Sequence, residues 1–409
     1  MTNTQKIVIS VLVLLVVLLG AGFYFSRKND SPQSTGAAAT FPESSSSSSG
    51  KATTLPPSKD ASGGETIASS TSSVSETGGF HPILKKLTQT AIAGAVPLPT
   101  DQPVVRYTER ETGHVVDISP ITLETATVSN TTLPKTQNAL WSSQGNFVVL
   151  QTISSIGVST SLYKLSSEPL KETSLVPISF PKNTLDLVFS PDGTKIFFLE
   201  KNGFGVIGKT INLSTLTEKQ IFSSPLSEWQ LDWTNPKAIT LTTKASAGVA
   251  GFSLSVDEKG GETRVLGEIP GLETKTSPDG SKIFYSSVAQ DSPLSFIYET
   301  STNNSFQYIL STLADKCVWS KKSSITTYCA TPLSWGTARL PDEWYQGTHF
   351  TDDQIFGVGN GGVRILIDSA SNRKGDVLDA ENLVLDKNEQ FLYFTNKIDG
   401  TLWSVQLYR

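Results

Sequence analysis

Cysteine, histidine and methionine are nearly absent: two, three and one among 409 residues. Nowhere does the chain carry a Gly-x-Ser-x-Gly elbow, a His-Glu-x-x-His pair or an Asp-rich calcium loop. Those absences remove the sequence signatures of serine hydrolases, zinc peptidases and EF-hand proteins. The histidines (His81, His114, His349) are scattered and read as surface residues, so neither a metal nor another cofactor is expected. Net charge is −5, with 28 basic against 33 acidic groups after residue 79. A mildly acidic domain without a basic stripe excludes a nucleic-acid partner.

What is present is repetition. Phe189-Ser-Pro-Asp-Gly-Thr-Lys-Ile-Phe-Phe198 returns as Thr276-Ser-Pro-Asp-Gly-Ser-Lys-Ile-Phe-Tyr285. Each copy is a turn followed by a short apolar run. Pro presets φ, Asp bonds its own backbone two residues on, and Gly accepts positive φ. The unbroken apolar run suits a strand buried on both faces. Weaker copies begin at Trp141, Trp233, Trp319 and Leu385, so the starts step by 48, 44, 43, 43 and 66 residues. A period in the low forties with a turn in every unit is the signature of propeller blades.

Ser190-Pro-Asp-Gly-Thr-Lys-Ile and Ser277-Pro-Asp-Gly-Ser-Lys-Ile resemble the repeat of TolB-type, WD-like β-propellers of bacterial envelopes. The likeness is specific in two units and loose in four, and spans roughly residues 80–409. The Gly-His and Trp-Asp dipeptides of true WD repeats are missing, as is TolB's N-terminal α/β domain. The resemblance implies a rigid interaction or ligand-binding platform, not a particular reaction.

Val104–Arg110 and His114–Ile118 form a hairpin pattern, and Ala93–Leu98 before them supplies an inner strand, which makes a seventh unit. The last unit shows only three strands. Pro82–Thr88 is expected to complete it, which closes the ring and hides an edge. The expected fold is therefore an all-β, seven-bladed β-propeller over 80–409, with six blades as the alternative.

Ile7 to Phe25 is uncharged and, as a helix, about 28 Å long, which matches a bilayer core. A transmembrane anchor over 1–28 is expected, with a cleaved signal peptide as the competing reading. Residues 31–79 hold 22 Ser or Thr, so 29–79 is expected to be a disordered tether. The expected location is the cytoplasmic membrane, single-pass, with the propeller on the extracytoplasmic side.

Cys317 and Cys329 flank one turn symmetrically about Ser323, and an exported compartment favours a disulfide over two buried thiols. Asn360-Gly361 marks a tight hairpin rather than a nucleotide loop. The long step to the last unit requires an insertion, Pro332 to Asp353, between second and third strands. It carries Trp335, Arg339, Asp342, Trp344, Tyr345 and His349, the candidate binding residues, near one mouth of the channel. The alternative is that its aromatics fold inward and plug the channel. Three functions remain open. One is an envelope module that binds a protein or glycan. Another is a lyase- or lactonase-like enzyme with Asp342, Glu343, Asp352 or Asp353 converging on a metal. The last is a purely structural surface protein.

Overall fold

The computed structural model describes residues 81–408 except 156, 166–174, 179, 182, 290–291 and 369–374. The anchor expected over 1–28 and the tether over 29–79 lie outside the described residues. Among the described residues no helix is long and apolar enough to cross a membrane.

Seven antiparallel four-stranded sheets make up the fold. Blades 1 to 6 occupy 92–129, 136–178, 184–224, 229–270, 273–307 and 317–367. Blade 7 comprises three strands within 380–406 and, on its outside, Ile83–Lys86. The inner strands neighbour one another in sequence order, and the seventh returns to the first, so the ring is closed. Ile83 to Lys86 pair with Gln406 to Trp403, the expected latch between opening segment and tail. Six blades are thereby ruled out.

The repeat's chemistry is plainest in blades 3 and 5. In blade 3, Gly193 at φ 70° donates its N–H to Ser190 O (2.8 Å). Ser190 Oγ donates to Asp192 Oδ1 (2.6 Å) and accepts from Lys195 N (2.9 Å). Blade 5 repeats the arrangement with Gly280, Ser277, Asp279 and Lys282. From the second strand of blade 3, Phe198 packs with the blade 2 core (Phe147, Val149, Leu162). The next-door Phe197 turns the other way, onto Trp233, Ile239 and Leu241 of blade 4. Both are fully buried, which is why the run is continuous and not alternating. Each such ring contributes roughly 2–3 kcal/mol by leaving water. The core is thus a set of separate inter-blade clusters.

Cys317 and Cys329 are register partners on the first two strands of blade 6 and form a disulfide. The Asn360-Gly361 hairpin is as expected, with Gly359 opposite Gly362. The insertion runs from the end of Thr327–Pro332 to the start of Asp353–Gly359, second strand to third.

Candidate functional site: the central channel and its plug

Inner strands set the wall of the channel. Each turn opens with one residue, Leu98, Ser142, Ser190, Thr234, Ser277, Ser320 or Asp386 in blade order. Four residues earlier stand Gly94, Asn138, Asp186, Gln230, Glu273, Lys316 and Asn382. Six of these seven equivalent positions are polar, three of them charged. A β-bulge precedes or includes the position in blades 1, 2, 3 and 7. Bulges re-aim side chains at barrel rims and sites. Asn382 is held at φ 54°, in the left-handed region.

The insertion covers the ring on one side. Its one-turn helix, Asp342–Tyr345, places Trp344 (2 % exposed) against the channel wall. Trp335, Leu340 and Trp344 pack with Leu313 into a core of their own. Trp344 Nε1 donates to Asp379 of blade 7 (3.0 Å), and its ring lies under Lys316 Nζ (4.9 Å) and Lys397 Nζ (4.4 Å). Lys316 is wholly buried and is caught between Asp353 Oδ2 (2.7 Å) and Asp379 Oδ1 (2.6 Å). Buried charges of this kind persist only when paired and hydrogen-bonded. Asp379 N–H and Ala380 N–H complete the knot by donating to Asn396 and Asp353.

A second knot joins the plug to blades 4 and 5. Tyr345 donates its hydroxyl to Asp315 Oδ2 and accepts from Gln230 Nε2 (2.8 Å). Lys275 Nζ pairs with Asp315 (2.9 Å), and Asp315 N–H donates to Glu273 Oε2 (3.3 Å). Burial, reinforced by the Asp315 charge, pushes the Glu273 carboxyl up to about 8. Asp315 feels the same burial, yet the Lys275 charge holds it below the usual range. Burial also drives the Tyr345 phenol well above its ordinary value. Burial therefore favours the protonated form of Glu273, and Lys275 favours the charged form of Asp315.

The sequence-expected residues do not act together. Trp335 and Trp344 are core. Tyr345 faces the channel. Arg339 is exposed and lies against Gly248 of blade 4. Asp342 Oδ2 accepts the Ala247 N–H (2.8 Å), which offsets its partial burial and keeps its carboxyl low. His349 packs on Gly336. The four acids diverge: Asp342 reaches blade 4, Asp353 reaches Lys316, Glu343 is half-buried on the one-turn helix, and Asp352 is exposed. Among the described residues no group of three or more His, Cys, Asp or Glu is placed to hold a metal. The plug alternative describes the aromatics; the convergence of acids does not occur.

Gly203-x4-Gly208-Lys209-Thr210 has the spacing of a phosphate loop. The structure disposes of it. Gly205–Asn212 is the third strand of blade 3, Gly208 is open for the Phe197 ring, and Lys209 is held by Glu200 (2.7 Å) and Glu218 (3.3 Å).

Two spaces remain. A cavity of about 550 Å³ under the plug is lined by Asp186, Lys275, Lys321, Asn382, Trp344 and Tyr345, among others. A groove of about 1090 Å³ runs between blades 3 and 4 beside the plug. Asp186, Gln230 and Tyr345 line both. Burial pushes the Asp186 carboxyl up to about 6, relieved only by the Leu187 N–H.

No protein-family model matches the chain, and no curated protein matches it. Solved structures do. An oligogalacturonate lyase in complex with manganese aligns at TM-score 0.54 and 12 % identity, over 80 % of this chain and 93 % of that one. Virginiamycin B lyase from Staphylococcus aureus aligns at 0.50 and 12 %, over 80 % and 99 %. A TolB-type protein from Agrobacterium tumefaciens aligns at 0.40 and 12 %, over 55 % and 87 %. At these identities the first two show the propeller fold alone.

Proposed function

We propose that the chain is a binding module of the cell envelope. It is held at the outer side of the cytoplasmic membrane by the stretch 7–25 and its Ser/Thr-rich tether, and takes a partner in the groove between blades 3 and 4. One observation carries this reading. Phe204, at the tip of a hairpin over that groove, is fully exposed (101 %). A hairpin tip serves its blade equally well with a polar residue, so an aromatic there wastes nothing structural and fits an interface anchor. Val249 (64 % exposed) stands on the same rim, and Asp186, Lys201, Glu228, Lys244 and Asp342 frame it with both signs of charge. A protein segment with an apolar anchor suits such a rim; a glycan stacking on Phe204 is the alternative partner.

Photo-crosslinking tests it. A photoreactive residue at 204 should give a discrete adduct in the intact envelope, and one at exposed Ile121 on blade 1 should not. Equal labelling at both positions, or none at 204, overturns the proposal.

A second reading, a lyase-like enzyme, is favoured by Asp186, a carboxyl tuned towards neutrality where groove and channel meet. The lyases among the structural neighbours agree with it in fold. Cleavage of oligogalacturonate that disappears in Asp186→Asn would support that reading over the first.

A further inference from the structure

Three charged side chains hold equivalent positions on the inner strands, Asp186, Glu273 and Lys316, and two of them are answered from within the chain. Lys316 is caught between Asp353 and Asp379. Glu273 is wholly buried, and burial favours its protonated form. Asp186 is different. It is half-buried, accepts the Leu187 N–H (2.8 Å), and has no described cation acting on its carboxyl. Other lysines lining the two spaces are engaged elsewhere: Lys275 with Asp315 (2.9 Å), Lys397 with Glu381 (3.0 Å) and Lys244 with Glu228 (3.4 Å). Lys321 faces Asp386 and Glu389, and Lys201 is exposed near the hairpin tip. A carboxylate drawn out of water holds its charge at a cost, which a cation brought beside it offsets.

Its place gives that carboxylate a use. Asp186 lines both the groove and the cavity, together with Gln230 and Tyr345. Tyr345 donates to Asp315 and accepts from Gln230 Nε2 (2.8 Å), so the Gln230 carbonyl oxygen is the end left for a donor from outside. A carboxylate and an amide oxygen offer acceptors alone, and an ammonium or guanidinium offers donors alone. Register sets the distance. Asp186 pairs with Leu199, and the chain runs five residues on from Leu199 to Phe204 at the tip closed by Asn202 and Gly205. At about 3.3 Å per residue, the two lie about 16 Å apart along the strand.

We propose that the partner is a protein segment in which an apolar residue seats on Phe204 and a lysine or arginine, about three to five positions away, reaches the head of the groove and pairs with Asp186. Gln230 takes a second hydrogen from the same cation. The pairing rests on the docking role proposed for the groove and gives its occupant a chemistry: apolar at the rim, basic within. An extended segment covers the interval in about five residues, and the length of a basic side chain shortens that count. A wholly apolar or acidic segment would occupy the rim and leave Asp186 unanswered.

Selection from displayed random peptides, about seven residues long, against the purified full-length protein tests it. Enriched peptides should join an apolar residue to Lys or Arg at the stated spacing. In a synthetic copy of the most enriched peptide, norleucine in place of that basic residue should weaken binding by about tenfold or more, the loss of one charge-assisted contact. Asp186→Asn should bind the two peptides alike. Apolar residues enriched without a basic one, or an equal norleucine penalty on Asp186→Asn, overturn the pairing and leave the groove standing. Selection that is no weaker on Phe204→Ala, or no selection at all, overturns the groove as a docking site and the pairing with it.

Discussion

The two mouths of the channel are built on different principles. The turn-side mouth is made of local chemistry that recurs in blades 2, 3, 5 and 7: a hydroxyl or carboxylate, a tight turn, and a backbone N–H returned to it from five residues on. The opposite mouth is made once, from groups far apart in sequence. Lys316 meets Asp353 and Asp379 across 37 and 63 positions, and Tyr345 meets Gln230 across 115. Local turns fail singly and cheaply, because each serves its own hairpin. A long-range buried network fails as a unit, because removing one member strands the others in low dielectric.

The largest expected effect follows from that contrast. Lys316→Met leaves Asp353 and Asp379 buried without their cation and should cost about 3–5 kcal/mol. Chemical denaturation monitored by tryptophan fluorescence measures it. A loss below about 1 kcal/mol would mean the knot carries no more weight than a turn. Trp344→Ala belongs to the same class, since it opens a cavity and deprives Asp379 of a donor.

Next in size is a pH effect. Glu273 is raised from its ordinary 4.5 to about 8, so the folded state holds its proton where the unfolded chain has released it. Its contribution is complete below about 4.5 and drains away as pH rises towards 8. The slope cannot exceed about 1.4 kcal/mol per pH unit for a single proton. Asp186 adds a smaller share between its ordinary 3.8 and about 6. Urea midpoints of the native protein should fall across pH 5–8, and Glu273→Gln should flatten that fall. Parallel curves for the two proteins would show that Glu273 does not titrate there.

How far the sequence disclosed this molecule tracks the same division. The turn mouth was legible because Ser190-Pro-Asp-Gly and Ser277-Pro-Asp-Gly act on their own backbone, so spacing yields six units, a hairpin pattern before them the seventh, and the three-stranded last unit the latch expected over Pro82–Thr88. Cys317 and Cys329 were legible for the same reason, being symmetric about one turn. The plug's position was legible as an interruption of the period. Its contents were not, because Trp344 is defined by Asp379 and Lys316, which no local pattern joins to it. Lys316, Glu273 and Asp186 escaped notice although a signal existed: each stands four residues before the residue that opens its turn. The Gly203–Thr210 spacing errs the other way, a local motif whose meaning the strand cancels.

On the turn side, Asp279→Ala should cost far less than any change to the plug. Asp279 Oδ1 accepts from Ser277 Oγ (2.7 Å) and Ser281 N (3.0 Å), at an exposed turn whose backbone bond from Gly280 N survives the change. About 1 kcal/mol is the expected loss. The same bonds hold its carboxyl down to about 2, so the contribution is present above pH 4 and disappears as pH falls towards 2. Differential scanning calorimetry at pH 7 and pH 2.5 should therefore show the variant's deficit shrinking on acidification. A deficit that is unchanged or larger in acid would place the turn's stability in something other than the carboxylate.

Phe204→Ala gives the smallest stability effect and the sharpest test of the plug side as a working surface. The ring buries nothing, so its removal should move the denaturation midpoint by no more than about 0.5 kcal/mol. An exposed aromatic helps solubility no more than it helps folding, and the variant should be, if anything, better behaved in concentrated solution. If the groove is where a partner docks, the same change should abolish the adduct formed from a photoreactive residue placed at nearby Val249. Loss of stability would mean that Phe204 packs somewhere in the folded chain. An undiminished adduct would mean that contact at this mouth is made by the plug itself and not by the hairpin beside it.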